Sequence, residues 1–198
     1  MKIIKIISVF FLLITNAYSS EGENKIVVLV NDKVISNYDI EQRAKIFAIV
    51  NQVQITPENG NIITNKIVDE LIDDLLKMQK IEEYDIKVNN SDLDKYENQY
   101  FKSLGIDKEK VFELMEINKI NKNQFYHMLY SEIAWQTLIS RLYYRITSVS
   151  EEEISELMNK DPNISRKLAE KIIMDKQLAL KSSKMLRDLR DEATIEYK

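Results

Sequence analysis

Residues 26–40 read Ile-Val-Val-Leu-Val-Asn-Asp-Lys-Val-Ile-Ser-Asn-Tyr-Asp-Ile, and the rest of the architecture follows from that stretch. Ile26 to Val30 is a run of aliphatic, mostly β-branched residues, the pattern of a short buried strand. Asn31-Asp32 suits a tight turn, so Lys33-Val34-Ile35 can return as a second strand. Ser36 then stands as a helix N-cap with Asp39 three residues on, a carboxylate where the helix dipole favours one. The periodicity beyond it predicts a helix from Asn37 to about Asn51 that buries Ile40, Ala44, Phe47 and Val50.

Downstream the pattern is helical almost throughout. Three glycines and two prolines in 198 residues leave few breaks, which argues for long helices and against sandwiches or barrels. Gln52 to Asn61, with Pro57 and Gly60, reads as a loop. A helix from about Ile62 to Tyr84 aligns Ile67, Leu71, Leu75 and Gln79, with Val68, Ile72 and Leu76 beside them. After a turn over 85–90, Ser91 is the expected cap of a helix carrying Leu93, Tyr96, Tyr100 and Phe101. Gly105 sits where a left-handed C-terminal cap is wanted. Asp107 caps a short helix through Val111, Leu114, Met115 and Ile117. Asn121 or Asn123 opens a long one to about Ile146, burying Phe125, Leu129, Trp135, Leu138, Ile139 and Leu142.

Ser150 and Glu153 form a capping box ahead of Ile154, Leu157 and Met158. Asp161-Pro162 breaks that helix. The last, from about Ile164 to Asp191, is expected to bury Leu168, Ile172, Ala179, Leu186 and Leu189. Ala193 to Tyr197 alternates like a strand. A lone terminal strand is marginal, so it should pair with Ile26–Val30 and tie the two ends together. The expected fold is mainly α: a multi-helix bundle with a small β element made by the N-terminal hairpin and the C-terminal strand.

Residues 1–19 form a separate object. Lys2 and Lys5 precede an apolar stretch from Ile6 to Ile14, and Ala17-Tyr18-Ser19 places small residues for cleavage after Ser19, the layout of a secretory signal peptide. A membrane anchor is the competing reading, but the run is well short of the roughly 20 apolar residues a span requires. Its removal would move the formal charge from −4 to −6, since it holds two lysines and no acid. So acidic a chain lacks the footprint of a nucleic-acid binder. It has no cysteine, which excludes thiol chemistry and removes any need for disulfides after export.

No catalytic constellation stands out. His127 is the only histidine, and one imidazole without cysteines matches no usual zinc set. It reads as a structural or surface side chain. The acidic clusters read as solvated helix faces; there is no phosphate-binding loop, no dinucleotide fingerprint and no Gly-rich nucleophile turn. The expectation is a non-enzyme without metal or cofactor. The unusual feature is soft apolar content, with ten tyrosines and seven methionines. Phe47, Tyr96, Tyr100, Met115, Tyr126 and Tyr130 are candidates for a groove accepting varied apolar side chains, with ordinary core packing as the alternative for each.

Three phrases in this order carry a resemblance. They are Val27 to Ile40; Leu71 to Gln79 leading into Tyr84-Asp85-Ile86-Lys87-Val88-Asn89-Asn90-Ser91-Asp92-Leu93; and Gln124 to Leu142 followed by Arg145 to Ile154. Together they resemble the N-terminal module of the SurA family of periplasmic chaperones, over about residues 26–156. The resemblance implies a signal peptide (1–19), a chaperone domain (20–160) and a C-terminal helix and strand (161–198) packing back on it. It implies passive, ATP-independent holding of unfolded or partly folded envelope polypeptides of the outer-membrane type in the periplasm. No nucleic acid and no stable membrane insertion after cleavage are expected. Typical members carry parvulin-type prolyl isomerase domains before the final helix. Ser150 to Lys198 spans only 49 residues, mostly helical, so isomerase activity is not expected. A helical adaptor for one envelope protein and a degenerate isomerase are the other readings.

Overall fold

The computed structural model describes residues 24–198; the expected signal peptide lies outside the described residues. Two strands open the chain, β1 (Ile26–Val30) and β2 (Lys33–Ser36). Helices α1 (Asn37–Asn51), α2 (Pro57–Glu83), α3 (Asn90–Leu104), α4 (Lys108–Ile117), α5 (Lys122–Tyr143), α6 (Glu151–Lys160) and α7 (Arg166–Glu192) follow, and β3 (Ile195–Tyr197) ends it. The fold is mainly α with a three-stranded antiparallel sheet in the order β2-β1-β3.

The sheet closes the chain on itself. Val28, Leu29 and Val30 pair with Tyr197, Glu196 and Ile195 respectively. Asn31, at the hairpin turn with φ +55°, reaches furthest. Its backbone N–H donates to the Thr194 carbonyl at 2.8 Å and its Oδ1 accepts from the Thr194 N–H at 3.0 Å. Its Nδ2 donates to Gln79 Oε1 on α2 at 2.9 Å. One side chain therefore stitches both termini to the central helix. Arg190 adds a second stitch, donating to the Asp73 carboxylate at 2.5 Å and to the Asp69 carbonyl at 2.9 Å.

The expected caps form at Ser36 with Asp39, Asp107, Asn121, and Ser150 with Glu153. Gly105 ends α3 in the left-handed region at φ +65°. Other expectations are corrected. Helix α2 starts at Pro57, not Ile62, because Pro57 takes the first helical position, where its missing N–H costs nothing. The Thr56 N–H meanwhile donates to Asn59 Oδ1 at 2.7 Å. Asn89, not Ser91, caps α3 through the Asp92 N–H. Ile117 is 67 % exposed and Ile120, past the end of α4, is buried instead. On α7, Leu168, Ile172 and Ala179 face outward while Ala169 and Ile173 are buried. The expected stripe is thus rotated by one residue over the first half of α7.

Among the described residues four apolar clusters result. The first joins Val28, Val30 and Ile35 to Ile67, Leu71, Ile72 and Leu76. The second is an aromatic cluster of Ile46, Phe101, Met115, Phe125 and Leu129. The third gathers Ile81, Trp135, Leu138 and Ile139. Leu186 and Leu189 of α7 pack against both the first and the third. A small fourth cluster, Ile154, Ala169 and Ile173, belongs to the α6–α7 hairpin alone.

Candidate functional site

Two clefts flank the aromatic cluster. The first, about 220 Å³, is lined by Arg43 of α1, Asp74 and Lys77 of α2, Tyr96 and Tyr100 of α3, and Met128 and Glu132 of α5. Its charges are paired across helices: Arg43 Nη2 donates to Asp74 Oδ2 at 2.7 Å, and Lys77 Nζ lies 3.0 Å from Glu132 Oε2. Burial, with the Glu132 charge second, pushes the Tyr96 hydroxyl up to about 12. Burial raises Tyr100 as well. Both phenols therefore stay protonated across the physiological range, able to donate to a peptide carbonyl but not to act as bases. Burial also raises the Glu70 carboxyl in this cleft, against the lowering influence of Arg43.

The second cleft, about 460 Å³, opens between α1 and α4 and is mostly apolar. Ala48, Ile49, Ile106, Val111 and Leu114 line it. It exists because two chain reversals end at its mouth: Gln52 closes α1 at φ +54° and Gly105 closes α3. Leu104 and Ile117, beside lining residues in sequence or one helical turn away, are 40 % and 67 % exposed. Water-exposed aliphatic carbon around an apolar hollow can take up a partner's apolar side chain.

The six groove candidates fall in different places. Tyr96 and Tyr100 line the first cleft, and Tyr96 also borders another hollow with Val88 and Ile133. Met115 is fully buried in the aromatic cluster. Tyr126 is 37 % exposed, its ring 6.1 Å from that of Phe112. Tyr130 packs with Trp135 and Ile139, and Phe47 packs on the strand cluster with the Lys66 ammonium 4.9 Å from its ring. None of the six lines the apolar cleft. The signal that could have found it was the Gly105-Ile106 stop followed by apolar residues at 111, 114 and 117, three apart on a helix too short to bury them all.

His127 is exposed and borders a small hollow with Asp39 and Gln124, whose side chains lie 3.2 Å apart. Among the described residues no group of acidic or histidine side chains is placed to hold a metal ion. Nor is any helix among them long and apolar enough to cross a membrane.

Chaperone SurA of Buchnera aphidicola subsp. Schizaphis graminum is 24 % identical over 170 residues, which is 82 % of this chain and 39 % of that protein. The chain thus spans well under half the length of this relative. A model of the SurA-like N-terminal domain matches residues 1–139, a span that takes in the strand hairpin, both clefts and most of α5. With that model covering more than half of its length, the chain belongs to the SurA-like N-terminal domain family.

Proposed function

We propose that this chain is an ATP-independent chaperone module of the bacterial periplasm that holds unfolded outer-membrane-type polypeptides without prolyl isomerase activity. The carrying observation is the apolar cleft between α1 and α4 with Leu104 and Ile117 exposed beside it. Leaving such carbon in water costs free energy that a captured apolar segment recovers. The tyrosine-lined cleft offers a different surface: protonated hydroxyls and paired charges suited to the polar backbone of an extended chain. Residues 140–198 are taken up by the end of α5, the α6–α7 hairpin and β3. That supports reading this chain as the binding module.

Affinity should be modest and reversible, because each contact must offset the ordering of a disordered client. The test is light scattering of a urea-denatured porin diluted into buffer with or without the purified chain. Stoichiometric chain should suppress aggregation, and Ile106→Asp, which places a charge in the cleft, should weaken suppression several-fold with the circular dichroism spectrum unchanged. Unaltered suppression by Ile106→Asp would remove the cleft from the mechanism, and no suppression by the wild type would remove the chaperone reading. A proline cis–trans assay above background would replace it with the enzymatic one.

A further inference from the structure

The α6–α7 hairpin carries a surface that the chaperone reading does not use. Its own small cluster buries Ala169 and Ile173 against Ile154 of α6. On the rest of the first half of α7, Leu168, Ile172 and Leu180 are 46 %, 39 % and 64 % exposed. At 100° per residue, Leu168 and Ile172 lie side by side and Ala179 falls between them in projection, while Leu180 stands about 80° further round, past Lys176, at the edge of the exposed face.

Charge is sorted around this strip. The chain carries −4 overall, yet residues 166–184 hold six basic and two acidic residues. Helix α6 is acidic: its Glu151 pairs with Arg166 at the start of α7, Glu156 with Lys160 at 2.5 Å, and Glu153 caps its own helix. Lys167 and Lys171 project on the flank of the strip away from Ala169 and Ile173, and make no ion pair among the described residues. An apolar strip bordered by unpaired lysines on a projecting hairpin fits a surface that is at once anionic and greasy. Asp175 is the one acid within the strip.

We infer that this face of α7 docks on an anionic phospholipid surface, with Leu168, Ile172 and Leu180 entering the headgroup boundary and Lys167 and Lys171 meeting lipid phosphates. The contact is interfacial. It would hold the clefts near a bilayer without spanning it.

The chain has no cysteine, so Leu180→Cys gives a single site for an environment-sensitive fluorophore. The full chain is mixed with vesicles of phosphatidylcholine, or of phosphatidylcholine with equimolar phosphatidylglycerol. The apolar stretch Ile6–Ile14 can partition into both, so the dependence of the α7 label on lipid charge is the readout. The label should brighten and shift to the blue only with anionic vesicles, and about 0.5 M salt should reverse this by screening. A label at Ile62→Cys, 73 % exposed on α2, should stay unchanged. Lys167→Gln with Lys171→Gln should lower the partition constant about 30-fold, two contributions of roughly fivefold each. Asp175→Asn should raise it. No response to anionic vesicles, an equal response to both vesicle types, or a response only to an added acidic unfolded polypeptide would each overturn the proposal; the last would assign the strip to protein clients.

Discussion

Replacing Asn31 tests whether the clasp between the chain ends carries the stability of the module. The residue has two separable roles. Its φ of +55° lies where glycine is comfortable, asparagine is tolerated and alanine is strained. Its side chain makes the bonds to Thr194 and Gln79 at 3.0 and 2.9 Å. Asn31→Gly keeps the turn and loses both bonds. Each is worth about 0.5–1.5 kcal/mol, toward the low end here because the site is solvent-exposed, so the loss should be about 1–2 kcal/mol. Asn31→Ala loses the same bonds and adds roughly 1 kcal/mol of left-handed strain. Urea unfolding followed by circular dichroism gives both values, and amide exchange at Lys198, whose N–H donates to the Val27 carbonyl at 2.9 Å, reports whether the tail has come loose. Equal losses for the two variants would refute the strain argument. A glycine variant as stable as wild type, with the Lys198 amide still protected, would refute the clasp.

Removing residues 193–198 should cost more than either, because it strips β3 from β1 and bares that strand edge; lowered Tm and concentration-dependent aggregation would show it. Arg43→Met should destabilise by about 3 kcal/mol by orphaning the Asp74 carboxylate, 15 % exposed, while Arg43→Met with Asp74→Leu should recover most of that loss. Equal stability of single and double variants by urea titration would show that water in the cleft already solvates the pair. Met115→Ala should cost about 2–5 kcal/mol, as expected for a fully buried core residue. A negligible loss there, paired with lost client binding, would instead mark a groove residue. Glu70 has a folded-state pKa raised above its ordinary value by burial, so the native state binds its proton more tightly than the unfolded chain does. Its contribution is most favourable at low pH and is lost as pH rises through the raised value. Glu70→Gln should flatten that part of the stability–pH profile, and an unchanged profile would remove Glu70 as its source.

The clasp was legible because so short a terminal strand needs a partner and the N-terminal hairpin, with Ile26–Val30 as its apolar strand, offered one. The helix caps were legible because Ser, Asp and Asn at helix starts act through their own neighbours. What failed did so where a residue serves two masters. Pro57 reads as a breaker but is also a good first helical residue. The face of α7 was misjudged because its two halves have different partners: Ala169 and Ile173 turn to α6, whereas Leu186 and Leu189 turn to the strands and α5. A single periodic stripe cannot describe both. The apolar cleft was missed for a related reason. Composition drew the eye to tyrosine and methionine, but a hollow arises from where backbones diverge, and the aliphatic residues around it look like core until the reversals at Gln52 and Gly105 are placed.

The family match ends at residue 139, within α5, yet the apolar core does not close there. The Trp135 indole N–H donates to Ser182 Oγ on α7 at 2.8 Å, and Leu186 and Leu189 cover both the strand cluster and the cluster around Trp135. Without α7, Val28, Val30 and Leu71 would lose apolar cover on one side, and Trp135 would lose its hydrogen-bond partner. Two largely buried clusters opened at once is a larger loss than a domain of ordinary stability can absorb. Residues 178–197 are therefore part of this chain's folding unit, and the core of residues 26–139 is complete only when α7 and β3 return to it. That requirement leaves the first half of α7, beyond the shared core, free to carry a surface of its own.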